Sequence, residues 1–282
     1  MVNVMWNDSG IVKEPVVKLK EYPLWEAQTV DEVLYGMEVR IRERGPKGWI
    51  SIETEYGYQG FVQAASLELH EWNVRRWQKL RRFVVDVPLA DVFEVPGYKN
   101  PYFLSLPRGC QVAGTDSPGQ AGWCQIRLVD GKGAYMRRGQ LRFLNHSHYS
   151  IKMEEERLRD SLVKTALSYL HTPYRWGGKT PQGIDCSGLC SMVYLLHGIS
   201  IYRDAKLKEG YPVREIPVCH VKPGDLLYFP GHMALYIGNL QYIHATGRMG
   251  DDGVVINSLN HTSEIYREDL AAGILAAGTV FG

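Results

Sequence analysis

Ile184-Asp185-Cys186-Ser187-Gly188 opens the apolar run 189–199, and Tyr174-Arg175-Trp176-Gly177-Gly178 stands shortly before it. Asp and Ser are helix-starting residue types, so the stretch predicts a helix over 185–196 with Cys186 at its leading end. A thiol there meets unpaired backbone N–H groups and the positive end of the helix dipole. Both favour the thiolate, the form that attacks carbonyls. Gly188 is expected to let a substrate backbone approach closely. Cys190, one turn further, is expected to point from the same helix face into the core. Free cysteines are more often small buried hydrophobes than nucleophiles, and Cys110, Cys124 and Cys219 lack the surroundings that set Cys186 apart.

Downstream, 226–229, 232–237 and 242–245 read as alternating strands. Pro230-Gly231 is a turn signal, which puts His232 at the start of its strand, and Gly238-Asn239 signals a hairpin leading to His244. A turn centred on Gly238 would set the two histidines directly opposite, with Cβ atoms about 4.5–5.5 Å apart. A two-residue Gly-Asn turn would instead send them to opposite faces, so a site using both needs an odd-length loop or a bulge. His70, His146, His148, His171, His197, His220 and His261 have no such setting and read as structural. Zinc is a rival use of Cys186, Cys190, His232 and His244, but their spacing matches no usual finger or ribbon.

Upstream, residues 153–170 carry Leu158, Leu162, Ala166 and Leu170 at intervals of four with acids early, an amphipathic helix. Helices followed by antiparallel strands predict an α+β catalytic domain. The first half is different: short β-type runs, clearest at 33–42, 49–54 and 59–63, separated by Gly, Pro and Asp. Gly48-Trp49, Ile52, Gly57 and Leu67 recur as Gly122-Trp123, Ile126, Gly131 and Leu141, a constant offset of 74 residues. Two small β-barrels related by duplication are expected. They resemble bacterial SH3-like barrels in the Leu34-Tyr35-Gly36 turn, the Gly-Trp strand and a closing helical turn. The expected division is 1–75, 76–148 and 149–282, with 71–82 as a connector.

Bulk properties narrow the function classes. With 32 basic and 31 acidic residues among 282, the formal charge is +1, and no nucleic-acid or membrane partner is expected. Five cysteines without a CxxC pair argue for reduced thiols. Residues 1–17 lack a basic patch followed by an apolar core, which points to a cytoplasmic protein or one whose leader has been removed. No cofactor and no metal is expected.

Taken together, Tyr174 to Gly178, Asp185 to Gly188, Pro223-Gly224-Asp225-Leu226, His232 to Gly238 and Tyr242-Ile243-His244-Ala245 resemble the NlpC-type cysteine peptidases, papain-like enzymes that cut bacterial cell-wall peptides. By that resemblance Cys186 is the nucleophile, His232 the base, His244 the residue that orients it, and Tyr174 lies near the oxyanion, with Trp176 beside it in the same motif. Two preceding barrels are similar to the γ-D-glutamyl-L-diamino-acid endopeptidases of murein recycling, which require a free N-terminal L-alanine. The resemblance implies a monomer acting on a murein stem peptide such as L-Ala-γ-D-Glu-diaminopimelate. It assigns the alanine amine to Asp185 and Ser187 with a barrel acid and tyrosine, for which Glu38 and Tyr58 are the candidates and Glu53, Glu55 and Tyr56 the competitors. Residues 206–210 lack the glutamine usual after the Arg203-Asp204 region. A wall-binding adhesion module and an amidase or acyltransferase on another substrate are the alternatives.

Overall fold

In the computed structural model, which describes residues 9–114, 122–144 and 155–282, the chain divides into two units, Met1–Leu144 and Asn145–Gly282. The expected boundary after residue 148, the helix start at Met153, and His146 and His148 lie outside the described residues.

The first unit holds two sheets. Strands β1 (Ser9–Val12), β2 (Val16–Lys20), β3 (Thr29–Leu34), β4 (Glu38–Arg44), β5 (Trp49–Thr54), β6 (Gln59–Gln63) and β7 (Leu67–Glu68) are ordered β3-β2-β6-β5-β4-β1-β7. Helix α1 (Glu71–Lys79) leads to β8 (Arg82–Val85), β9 (Leu89–Phe93), β10 (Tyr102–Pro107), β11 (Gln111–Gly114), β12 (Trp123–Arg127), β13 (Gly133–Arg137) and β14 (Leu141–Phe143). Their order is β10-β9-β13-β12-β11-β8-β14. Adding seven to each strand number converts one order into the other, so the duplication legible in a few identities is a duplication of topology. A short 3-10 turn precedes the last strand of each copy, Ala64–Ser66 in one and Arg138–Gln140 in the other.

Two local expectations change. The run 33–42 is not one strand, because Tyr35-Gly36-Met37 breaks it: Gly36 takes a φ of +80°, a conformation that side chains with a Cβ rarely adopt. The supposed connector is helix α1. Its Val74 and Trp77, three residues apart, are buried, and the Trp77 indole donates to the Gly36 carbonyl at 3.0 Å.

The second unit begins its described part with α2 (Glu155–Leu167), then β15 (Lys179–Thr180), β16 (Gly183–Ile184) and α3 (Cys186–Leu195). It continues through β17 (Arg214–Ile216), β18 (Leu226–Phe229), β19 (His232–Gly238), β20 (Gln241–Thr246), β21 (Gly253–Ser258), α4 (Glu268–Ala271) and β22 (Ala276–Thr279). The last six strands form one antiparallel sheet, β17-β22-β18-β19-β20-β21, giving the α+β arrangement. Helix α3 packs against α2, β19 and β20, with Leu189, Cys190, Met192, Val193 and Tyr194 fully buried. At about 1.5–3 kcal/mol for each large apolar side chain removed from water, this burial fixes the helix and hence its leading end. A buried ion pair ties the far side together. Arg159 of α2 reaches Asp225 at 2.9 Å and the Pro223 carbonyl at 2.8 Å, while Asp225 also accepts from Thr279 at the end of β22 and from the Lys222 amide.

Candidate active site

The hairpin between β19 and β20 supplies two imidazoles. Its turn residues are Asn239 and Leu240, both at positive φ (53° and 57°), with Gly238 paired to Gln241. That two-residue turn alone would put His232 and His244 on opposite faces. A bulge at Ile237 shifts the register, so that Tyr236 pairs with Tyr242 and Leu235 with Ile243. Continuing that register sets His244 opposite Ala234, and His232, two residues earlier, lies on the same face as its diagonal neighbour. Direct opposition about Gly238 is therefore replaced by a diagonal contact, with His232 Nε2 and His244 Nδ1 2.7 Å apart. The next strand extends the line. His244 pairs with Val255 in the β20–β21 ladder, and Asn257, diagonal to it, places Oδ1 2.8 Å from His244 Nε2.

Cys186 is the first residue of α3, as the sequence implies, and is 7% exposed. The backbone N–H of Met233, the residue after His232, faces its sulfur, as does that of Ser187. His232 Nε2 is engaged by His244, which leaves Nδ1 as its second ring nitrogen. Cys190 is fully buried behind Cys186.

Asp185 caps the helix through the Gly188 amide at 2.6 Å and also accepts from the Gly177 amide at 2.7 Å. Buried Arg203 then meets both carboxylate oxygens at 3.0 Å and donates to Ser187 Oγ at 2.6 Å. An ionised carboxylate offers about four acceptor sites, and these donors fill them. Asp185 thereby clamps the loop before the nucleophile to the helix that carries it. Gly188 is used differently from expectation. A Cβ there would come within 2.2 Å of the Gly178 carbonyl, so its bareness admits this loop rather than a substrate.

The electrostatics correct the expectation of a resting thiolate. Burial, then the Asp185 charge, pushes the Cys186 thiol up, and these outweigh the Met233 and Ser187 N–H groups and Arg203. Burial, followed by His244 and Arg267, holds His232 down to about 3, and burial holds His244 down to about 4. The resting pair is neutral thiol and neutral imidazole. Tyr174, with burial as the main cause and Cys186 and Asp185 as the next, is pushed up to about 12 and remains a hydroxyl donor.

Of the residues singled out from sequence, Cys186, Asp185, Ser187, Tyr174, His232 and His244 gather in the second unit. Trp176 stands 60% exposed on the loop before α3. Glu38 and Tyr58 belong to the first unit, where Glu38 on β4 accepts from Gln78 and Tyr58 lies in the β5–β6 turn. Asn257 and the Arg203 clamp were not singled out as partners, because each is joined to the site only by tertiary pairing. Among the described residues, no group of three or more His, Cys, Asp or Glu side chains converges as a metal site would.

Comparison with known proteins identifies the relatives of this chain. The NlpC/P60 family model matches residues 171–270. Dipeptidyl-peptidase 6 of Lysinibacillus sphaericus is 39% identical over 275 residues, covering 97% of this chain and all of that protein. The gamma-D-glutamyl-L-lysine dipeptidyl-peptidase of Bacillus subtilis is 30% identical over 263 residues, covering 86% of this chain and 79% of that one. The crystal structure of an NlpC/P60 family protein from Bacillus cereus shares the fold, with a TM-score of 0.79 at 18% identity over 97% of this chain and all of the other.

Proposed function

The chain belongs to the NlpC/P60 family and is a cysteine peptidase that hydrolyses peptidoglycan peptides, and from that premise we propose that it cuts the γ-D-glutamyl bond to the L-diamino acid in stem peptides with a free N-terminal L-alanine. The observation that carries the reading is that His232 is held through Nε2 by His244 while the residue after it, Met233, presents its backbone N–H to the Cys186 sulfur. Two relatives that cover most of this chain are named dipeptidyl-peptidases, and release of a dipeptide requires recognition of a free amino end.

In the proposed reaction the Cys186 proton passes to His232 Nδ1 as the sulfur attacks the γ-carbonyl carbon of D-Glu. Starting from a neutral pair, proton transfer accompanies attack, so charge develops on the imidazole only as the oxyanion forms and is received. The developing oxyanion is received by the Cys186 N–H, which as a first-turn amide has no intrahelical acceptor, and by the Tyr174 hydroxyl. His232 returns its proton to the departing amine, leaving a thioester. Water, deprotonated by the same imidazole, opens it and releases L-Ala-D-Glu, restoring the thiol. Ser187 Oγ, which accepts from Arg203, has a second lone pair for the substrate ammonium. Such an enzyme acts on peptides already freed from the glycan and serves their recycling.

Mass spectrometry of the products from L-Ala-γ-D-Glu-diaminopimelate, its lysine counterpart and their N-acetylated forms tests this. L-Ala-D-Glu is expected from the free-amine peptides alone. Equal turnover of the acetylated peptides would remove the amine requirement, and a different product would remove the bond assignment.

A further inference from the structure

The side-chain line in the sheet does not stop at His244, and its far end has a fixed polarity. Asn257 donates through Nδ2 to the Ile265 carbonyl at 3.0 Å, and the Ser258 amide donates to the same oxygen at 3.0 Å. A carbonyl oxygen only accepts, so the NH2 of Asn257 must face Ile265 and its Oδ1 must face His244, at 2.8 Å. A carbonyl-type Oδ1 in turn requires a hydrogen on His244 Nε2. In a neutral imidazole that leaves Nδ1 as the acceptor, and Nδ1 is the atom 2.7 Å from His232 Nε2. His232 must then carry its hydrogen on Nε2, so its Nδ1 holds the free lone pair.

We propose that Asn257 is a positioning residue that, anchored on the Ile265 carbonyl, sets the tautomers of both histidines and thereby puts the basic lone pair of His232 on the nitrogen away from His244. This deepens the peptidase reading and rests on it for the assignment of His232 as base. His244 alone cannot supply the direction, because an imidazole can donate from either nitrogen and the pair would run equally well with both hydrogens reversed. The reversed arrangement would leave an N–H on His232 Nδ1 and no base for the thiol. Asn257 is 7% exposed and His244 fully buried, so water is not a ready substitute for the missing acceptor.

The test begins with the unaltered protein. Nitrogen-15 spectra of the imidazoles at pH 7 are expected to show both His232 and His244 as Nε2–H tautomers; Nδ1–H on either would overturn the proposal. These spectra involve no substrate, so they stand even if the proposed bond specificity fails. Asn257→Leu removes the acceptor and is expected to give mixed or reversed tautomers and at least a tenfold loss of kcat with KM changed by less than threefold. Asn257→Asp keeps an acceptor oxygen towards His244 but loses the donor to Ile265, and is expected to keep the wild-type tautomers with a kcat between those of the unaltered protein and Asn257→Leu. A folded Asn257→Leu protein with wild-type imidazole spectra and undiminished kcat would overturn the inference.

Discussion

The second unit buries an arginine–aspartate pair at each of two places, and the two are built alike: Asp185 with Arg203 at the start of α3, and Asp225 with Arg159 beneath α2. In both, the carboxylate also accepts backbone amides, Gly177 and Gly188 in one and Lys222 in the other. What differs is what the remaining bonds hold. Asp185 fastens the loop 174–178 to the helix carrying Cys186, whereas Asp225 fastens α2 to the end of β22 through Thr279. A buried ion pair therefore does not by itself mark a reactive site. The segments it joins decide whether its loss is felt in chemistry or only in stability.

The sharpest separation of the two places is Cys186→Ala, which should lower the rate on a stem tripeptide by at least about 10³-fold while leaving thermal unfolding nearly unchanged. Removing one partner of a buried pair costs about 3–5 kcal/mol, so Asp185→Ala and Asp225→Ala should destabilise the protein comparably in denaturant titration. In the protein that remains folded, Asp225→Ala should keep its kcat and Asp185→Ala should lose at least tenfold. Equal kcat losses would break the comparison.

Acid should weaken the site end next. His232 and His244, at about 3 and about 4 when folded, lie below the ordinary value of about 6.5, so the unfolded chain binds their protons first. Their contribution is complete above pH 6.5 and is lost as pH falls towards 3, on the order of a few kcal/mol in all. Denaturant midpoints at pH 7 and pH 4.5 measure it, and replacing both histidines by glutamine should flatten the dependence. The smallest effect separates two thiols one turn apart on α3. Iodoacetamide followed by peptide mapping should modify exposed Cys219 first and Cys186 more slowly, sparing Cys190. Modification of Cys190 in the folded protein would show that the helix end is looser than its packing implies.

Much of this was legible from local pattern. Asp185 and Ser187 signalled the helix start, Pro230-Gly231 the beginning of β19, and the recurring Gly-Trp strand the duplication. Helix α1 escaped because its charged residues, close together in sequence, masked the two apolar positions three apart that face inward. Arg203 and Asn257 escaped for another reason. They reach Asp185 and His244 from 18 and 13 residues away, and neither strand register nor loop course is written in residue types alone. The resting ionisation escaped too, since dipole arguments come from sequence position and desolvation from burial.

The extra residue at Ile237 sets a rule for how this hairpin can change length. Because side chains alternate, losing that single residue would swing one imidazole outward and break the line from Asn257 through His244 to His232, whereas a change of two residues would leave the parity intact. Viable insertions and deletions here should come in even steps, and deletion of Ile237 alone should silence the enzyme although it removes no reacting group.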